Sequence, residues 1–129
     1  MSHVPVVLVV DNEPSVHTPL SSALTNGGFK THSAENVEAA LKILGSEHID
    51  AVSLDVRLPD PRGQHRNGLT LLRFLRATAE YAHVPIIILT GMPLLPEEEA
   101  LVREHDAHVF YKPQPYSVLI EHLSRLLTE

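Results

Sequence analysis

The chain of 129 residues contains no cysteine. Disulfide bonds and thiol chemistry are therefore excluded, and the composition fits a protein of the reducing cytoplasm. No apolar run approaches the roughly 18 residues that a membrane span requires, and the N-terminus lacks the pattern of a signal peptide. Any cluster of basic residues is missing too. Lys and Arg number 10 against 16 Asp and Glu, a formal net charge of −6, so direct nucleic-acid binding is not expected. What is present is ordinary for a soluble globular protein, 43% hydrophobic and 20% charged. The length suits one compact domain over residues 1–129 with a real core.

Two kinds of segment alternate along the chain. Short continuous apolar runs occur at "VVLVV" (6–10), "AVSL" (51–54), "IIIL" (86–89) and "HVFY" (108–111). Runs without polar alternation are expected of strands covered on both faces. "FKTHSA" (29–34) is more polar and reads as a strand nearer an edge. Between them, Val37, Ala40, Leu41 and Leu44 share one helical face that Gly45 can end. A second helix follows Gly68, with Leu69, Leu71, Leu72 and Leu75. Pro96 suits the first turn of a helix whose acidic start, "PEEEA", reads as a solvated face. Leu119, Ile120, Leu123, Leu126 and Leu127 give the last helix an apolar stripe. The helix after Asp11 is the weakest, because Pro19 is expected to distort it near Ser15. Five β-α repeats with short, right-handed crossovers imply a doubly wound parallel sheet with helices on both faces.

Ligands of such sheets bind at the carboxyl ends of the strands. There the sequence delivers Asp11-Asn12-Glu13, then Asp55, then Thr90-Gly91, and finally Lys112. Two carboxylates about 4 Å apart repel by about 4 kcal/mol at an effective dielectric near 20, so a positive partner is needed. An all-oxygen site suits Mg²⁺, and lysine adds a fixed charge. Carboxylate, Mg²⁺ and lysine together can receive a phosphoryl group on aspartate. Each residue alone also has an ordinary role: aspartate and asparagine as helix caps, lysine on the surface, threonine as a strand residue. The nine histidines are scattered and carry no zinc signature.

"VVLVVDNEP", "AVSLDVRLPD", "PIIILTG" and "FYKP", in that order, resemble the receiver domain of bacterial two-component response regulators, over essentially the whole chain. The resemblance implies a flavodoxin-like α/β fold with five helices and a parallel sheet of strand order 2-1-3-4-5. It implies a signalling module rather than an enzyme. Asp55 is then the phosphoacceptor, and Mg²⁺ is held by Asp11, Asn12, Asp55 and the main-chain carbonyl of Arg57, with Glu13 as a further ligand. Thr90 is the switch hydroxyl, with Gly91 leaving room for the phosphoryl group and Lys112 pairing with it. The donor is a sensor histidine kinase or a phosphotransfer protein. Output passes to a protein or domain through the face of helix four, strand five and helix five. A homodimer, and whether the domain stands alone or belongs to a larger protein, are left open.

Three features depart from the family pattern. Asn12 stands where receivers usually carry a second carboxylate, which removes a charge from the metal site. Val109 occupies the position of the usual switch aromatic. The loop "RLPDPRGQHRNG" after Asp55 is long and carries Arg62, His65 and Arg66 near the acceptor. Asn12 and Val109 motivate an alternative, a degenerate receiver that binds partners without being phosphorylated. A hydrolase of the haloacid dehalogenase type is a poorer match, since Asp11-Asn12-Glu13 lacks its Asp-x-Asp pair.

Overall fold

The computed structural model describes residues 4–60, 63, 67–112 and 115–128. In chain order the elements are β1 (Val6–Val10), α1 (Pro14–Asn26), β2 (Lys30–Ala34), α2 (Val37–Ser46), β3 (Ala51–Leu54), α3 (Gly68–Ala77), β4 (Ile86–Thr90), α4 (Pro96–Glu104), β5 (His108–Tyr111) and α5 (Tyr116–Thr128). A single 3-10 turn, Ala79–Tyr81, follows α3. The strands form one parallel sheet in the order β2-β1-β3-β4-β5. This is the flavodoxin-like topology expected from the β-α repeats and the resemblance.

Alternation along each strand divides the apolar side chains between two cores. Val6, Leu8, Val10, Val52, Leu54, Ile86 and Ile88 pack on one face with α2, α3 and α4. Val7, Val9, Ala51, Ile87 and Leu89 pack on the other with Val16, Leu20 and Leu24 of α1 and Leu119 and Leu123 of α5. β1, β3 and β4 are buried along their whole length. Residues at their C-terminal ends are thus delivered from a rigid base.

Four local expectations are corrected. β5 was expected to be covered on both faces, but His108 and Tyr111 are exposed, because the strand lies at the sheet edge. α1 runs unbroken through Pro19. Pro19 and Ser15 both lie on the exposed side, so water can serve the Ser15 carbonyl that lacks an amide partner. α2 continues one residue past Gly45, to Ser46. Within the α5 stripe, Leu126 remains 39% exposed.

Candidate functional site

The sheet register brings the two aspartates together. Val10 of β1 lies opposite Leu54 of β3, so the next residues on these adjacent strands are Asp11 and Asp55. The Asp55 N–H donates to the Val10 carbonyl at 2.9 Å, extending the pairing one step beyond the strands. Both carboxylates are buried, at 2% and 4% exposure. At the other side of the site, Thr90 lies opposite Tyr111 and the Lys112 N–H donates to the Thr90 carbonyl at 2.8 Å. From that anchor the Lys112 ammonium meets Asp11 Oδ2 at 2.8 Å, Glu13 Oε1 at 2.7 Å and Asp55 Oδ2 at 3.2 Å.

Local caps account for only part of these bonds. Asp11 Oδ1 does accept the Glu13 N–H at 2.9 Å, a local turn bond. Glu13, however, holds the N-cap position of α1 without any side-chain cap bond; its carboxylate goes to Lys112 instead. One oxygen each from Asp11, Glu13 and Asp55 lie within 4.8 Å of one another. Three carboxylates against one ammonium leave a formal charge of −2, and the donors are all hard oxygens. That set fits a small divalent cation such as Mg²⁺.

Electrostatics follow from burial and crowding. Burial lifts the Asp55 carboxyl above its ordinary value of 3.8, and the Asp11 charge lifts it further; Lys112 and the Arg57 N–H only partly offset this. For Lys112, burial opposes the charge. The bonds to Asp11 and Glu13 and the charges of Asp11 and Asp55 outweigh burial and hold the ammonium well above the usual lysine range.

The loop after Asp55 is shaped by a close approach. Gly68 donates its N–H to the Val56 carbonyl at 3.0 Å. A methyl group there would overlap the Asp55 carbonyl oxygen and sit 2.9 Å from Val56 Cα. Only glycine lets α3 begin this close to the Asp55 backbone. Asn67 then caps α3 by accepting the Leu69 N–H at 2.8 Å.

The model of the response regulator receiver domain family matches residues 7–124. The chain belongs to this family. It is 32% identical over 113 residues to the DNA-binding transcriptional regulator NtrC of Proteus hauseri, covering 87% of this chain and 22% of that protein. To the response regulator MprA of Mycolicibacterium vanbaalenii it is 33% identical over 121 residues, 93% of this chain and 48% of that one. The chain therefore spans less than half the length of either relative. A response regulator receiver protein of Pseudomonas putida superposes with a TM-score of 0.83 at 28% identity, covering 97% of this chain and 99% of its own. The signal receiver domain of an HD domain-containing protein of Pseudomonas fluorescens Pf-5 gives a TM-score of 0.85 at 26% identity, with coverages of 98% and 96%.

The remaining expected site residues of this receiver are placed as follows. Thr90 is fully buried, and among the described residues its hydroxyl makes only long contacts, 3.5 Å, with the Met92 backbone. Gly91 has space for a methyl group, 3.8 Å from Lys112 Cδ, so the fold itself does not require glycine there. Asn12 lies exposed beside the buried Asp11. Arg57 directs its N–H at Asp55 Oδ1, at a long 3.4 Å. Val109 packs, partly buried, against the core beneath α2, α3 and α4. Arg62, His65 and Arg66 fall outside the described residues. A surface cleft of about 700 Å³ lies between α1 and the start of α2 beside His17 and Ser33, away from this chemistry.

Glu98 contradicts its expected role as part of a solvated run. Glu97 and Glu99 are exposed, but Glu98 is buried at 9% and bonded on both oxygens. Oε1 accepts the Leu95 N–H at 2.8 Å, and both oxygens accept the Arg57 guanidinium at 2.9 and 3.0 Å. Burial lifts this carboxyl, but the bonds from Leu95 and Arg57 hold it below the ordinary glutamate value. A reach-back glutamate three residues after a Ser or Thr cap is recognisable in sequence. Here the preceding residue is Leu95, and that signal is absent.

Proposed function

We propose that this receiver takes a phosphoryl group on Asp55 from the phosphohistidine of a sensor histidine kinase or phosphotransfer protein. The observation that carries this is the convergence of Asp11, Glu13 and Asp55 on the single ammonium of Lys112. Asp11, Asn12, Asp55 and the Arg57 carbonyl, with Glu13, would hold Mg²⁺. Bound there, the ion supplies charge compensation for the phosphoryl oxygens.

Asp55 Oδ attacks phosphorus in line with the leaving nitrogen. The new bond is O–P, the broken bond is N–P, and its electron pair stays on the imidazole, which takes a proton from solvent. Crowding by Asp11 and burial keep the Asp55 carboxylate poorly solvated, which favours its reaction with an electrophile. Lys112, already hydrogen-bonded to Asp55, stays paired with the group as it becomes a phosphorylated, more negative one. Thr90 Oγ, which makes no short bond among the described residues, turns to a phosphoryl oxygen. Gly91 beside it offers no side chain to obstruct the group. The added charge then redistributes the face of α4, β5 and α5, where an output protein or domain docks. The unit that performs this is one receiver domain over residues 1–129, as a monomer or a homodimer, standing alone or within a larger protein.

The test is labelling by acetyl phosphate. Native protein is expected to incorporate phosphate only with Mg²⁺, and Asp55→Asn to incorporate none. Folded native protein that stays unlabelled favours the second reading, a phosphorylation-independent binding module, for which Asn12 and Val109 speak.

A further inference from the structure

α4 is weakly anchored. Only Glu98 and Val102 are buried along its length, with Leu101 partly buried against the core, so two apolar side chains and one carboxylate hold the helix to the sheet. The carboxylate is held in turn by Arg57, two residues beyond Asp55. The guanidinium makes a bidentate pair with Glu98 at 2.9 and 3.0 Å, and Glu98 Oε1 also fixes the Leu95 N–H at the start of the helix. Glu98 has a side-chain exposure of 11% against 41% for Arg57. A bidentate pair is directional, and its buried partner has no other cation among the described residues. On the other side, the Arg57 N–H faces Asp55 Oδ1. One residue thus touches the acceptor through its main chain and α4 through its side chain.

We propose that the Arg57–Glu98 pair is a charge clamp on α4, and that a phosphoryl group on Asp55 releases it by competing with Glu98 for the guanidinium. This rests on the phosphoacceptor reading. A phosphoryl group brings up to two negative charges beside Arg57, against one on Glu98. Drawn toward it, the guanidinium leaves Glu98 buried and unpaired, an unfavourable state that the first turn of α4 relieves by moving outward. Glu98 is the positioning residue here; it touches neither the acceptor nor the proposed metal ligands other than Arg57.

Hydrogen exchange of the amides of residues 99–104 tests this, with beryllofluoride and Mg²⁺ as the phosphoryl mimic. In native protein the mimic is expected to slow exchange at residues 55–58 and to speed it in α4 by roughly fivefold. Glu98→Gln keeps an acceptor for Leu95 but loses the charge. It should show fast α4 exchange before any addition, no further rise with the mimic, and native slowing at residues 55–58. Arg57→Ala without ligand leaves the Glu98 carboxylate buried and unpaired, so its α4 exchange should be at least as fast as in Glu98→Gln, and adding Glu98→Gln to Arg57→Ala should not speed it further. A Glu98→Gln protein whose α4 responds as native does overturns the clamp alone. Native protein with no slowing at residues 55–58 overturns the phosphoacceptor reading and the clamp with it.

Discussion

Gly68 packs its α-carbon directly against the backbone of Asp55, leaving no volume for a methyl group between α3 and the acceptor loop. The nearest atoms are main chain, which cannot rotate away. Gly68→Ala is therefore expected to cost about 2–3 kcal/mol of stability through enforced backbone displacement. Urea unfolding measures it. A loss under about 0.5 kcal/mol, the range of an indifferent surface change, would mean that α3 does not start where it is placed here.

Lys112 offsets one of the three carboxylate charges of the site. Its side chain is 12% exposed, so the acids it leaves behind in Lys112→Met are poorly solvated. Unfolding free energy at neutral pH should fall by about 2–4 kcal/mol. Mg²⁺ should restore part of it, since a ligand at 100 times its dissociation constant adds about 2.7 kcal/mol. A variant as stable as native protein, with no response to Mg²⁺, would show that the ammonium does not balance these acids.

The raised Asp55 carboxyl makes a pH prediction with a definite sign. A folded-state value above the ordinary 3.8 means that the native state holds this proton more tightly than the unfolded chain. The resulting stability is fully present below pH 3.8 and is lost as pH rises through the folded value. At neutral pH, Asp55→Asn should therefore be more stable than native protein. The advantage should shrink as the solution is acidified. An Asn variant that is less stable at pH 7 would place Asp55 in a net attractive environment.

Asn12 stands among the acids at the end of β1, with one fewer charge than a carboxylate would bring. Asn12→Asp is expected to bind Mg²⁺ about tenfold more tightly, an added ligand charge being the usual lever on such affinity. Calorimetric titration of both proteins decides it. Equal or weaker binding by Asn12→Asp would show that residue 12 faces away from the ion.

The sheet and its acidic edge were legible because single residues carry both signals. Asp11 and Asp55 each follow an uninterrupted apolar strand, so knowing that these strands are neighbours suffices to juxtapose them. Lys112 follows from the same rule on β5. What escaped depended on partners distant in the chain. β5 has the composition of a covered strand, yet its edge position, a property of topology, leaves His108 and Tyr111 exposed. Glu98 is indistinguishable from Glu97 and Glu99 until Arg57, 41 residues earlier, is seen to reach it. Glu13 could be a cap by its position; only the ammonium 99 residues away claims its side chain.

The most direct measurement locates the phosphoryl group itself. Protein treated with acetyl phosphate and Mg²⁺ is reduced with borohydride, which converts an aspartyl phosphate to homoserine, and its peptides are sequenced by mass spectrometry. Homoserine at position 55 alone, and none when Mg²⁺ is withheld, is the expected result. Homoserine at position 11 instead, or phosphate retained on a histidine with residue 55 intact, would contradict the assignment of Asp55 as the acceptor.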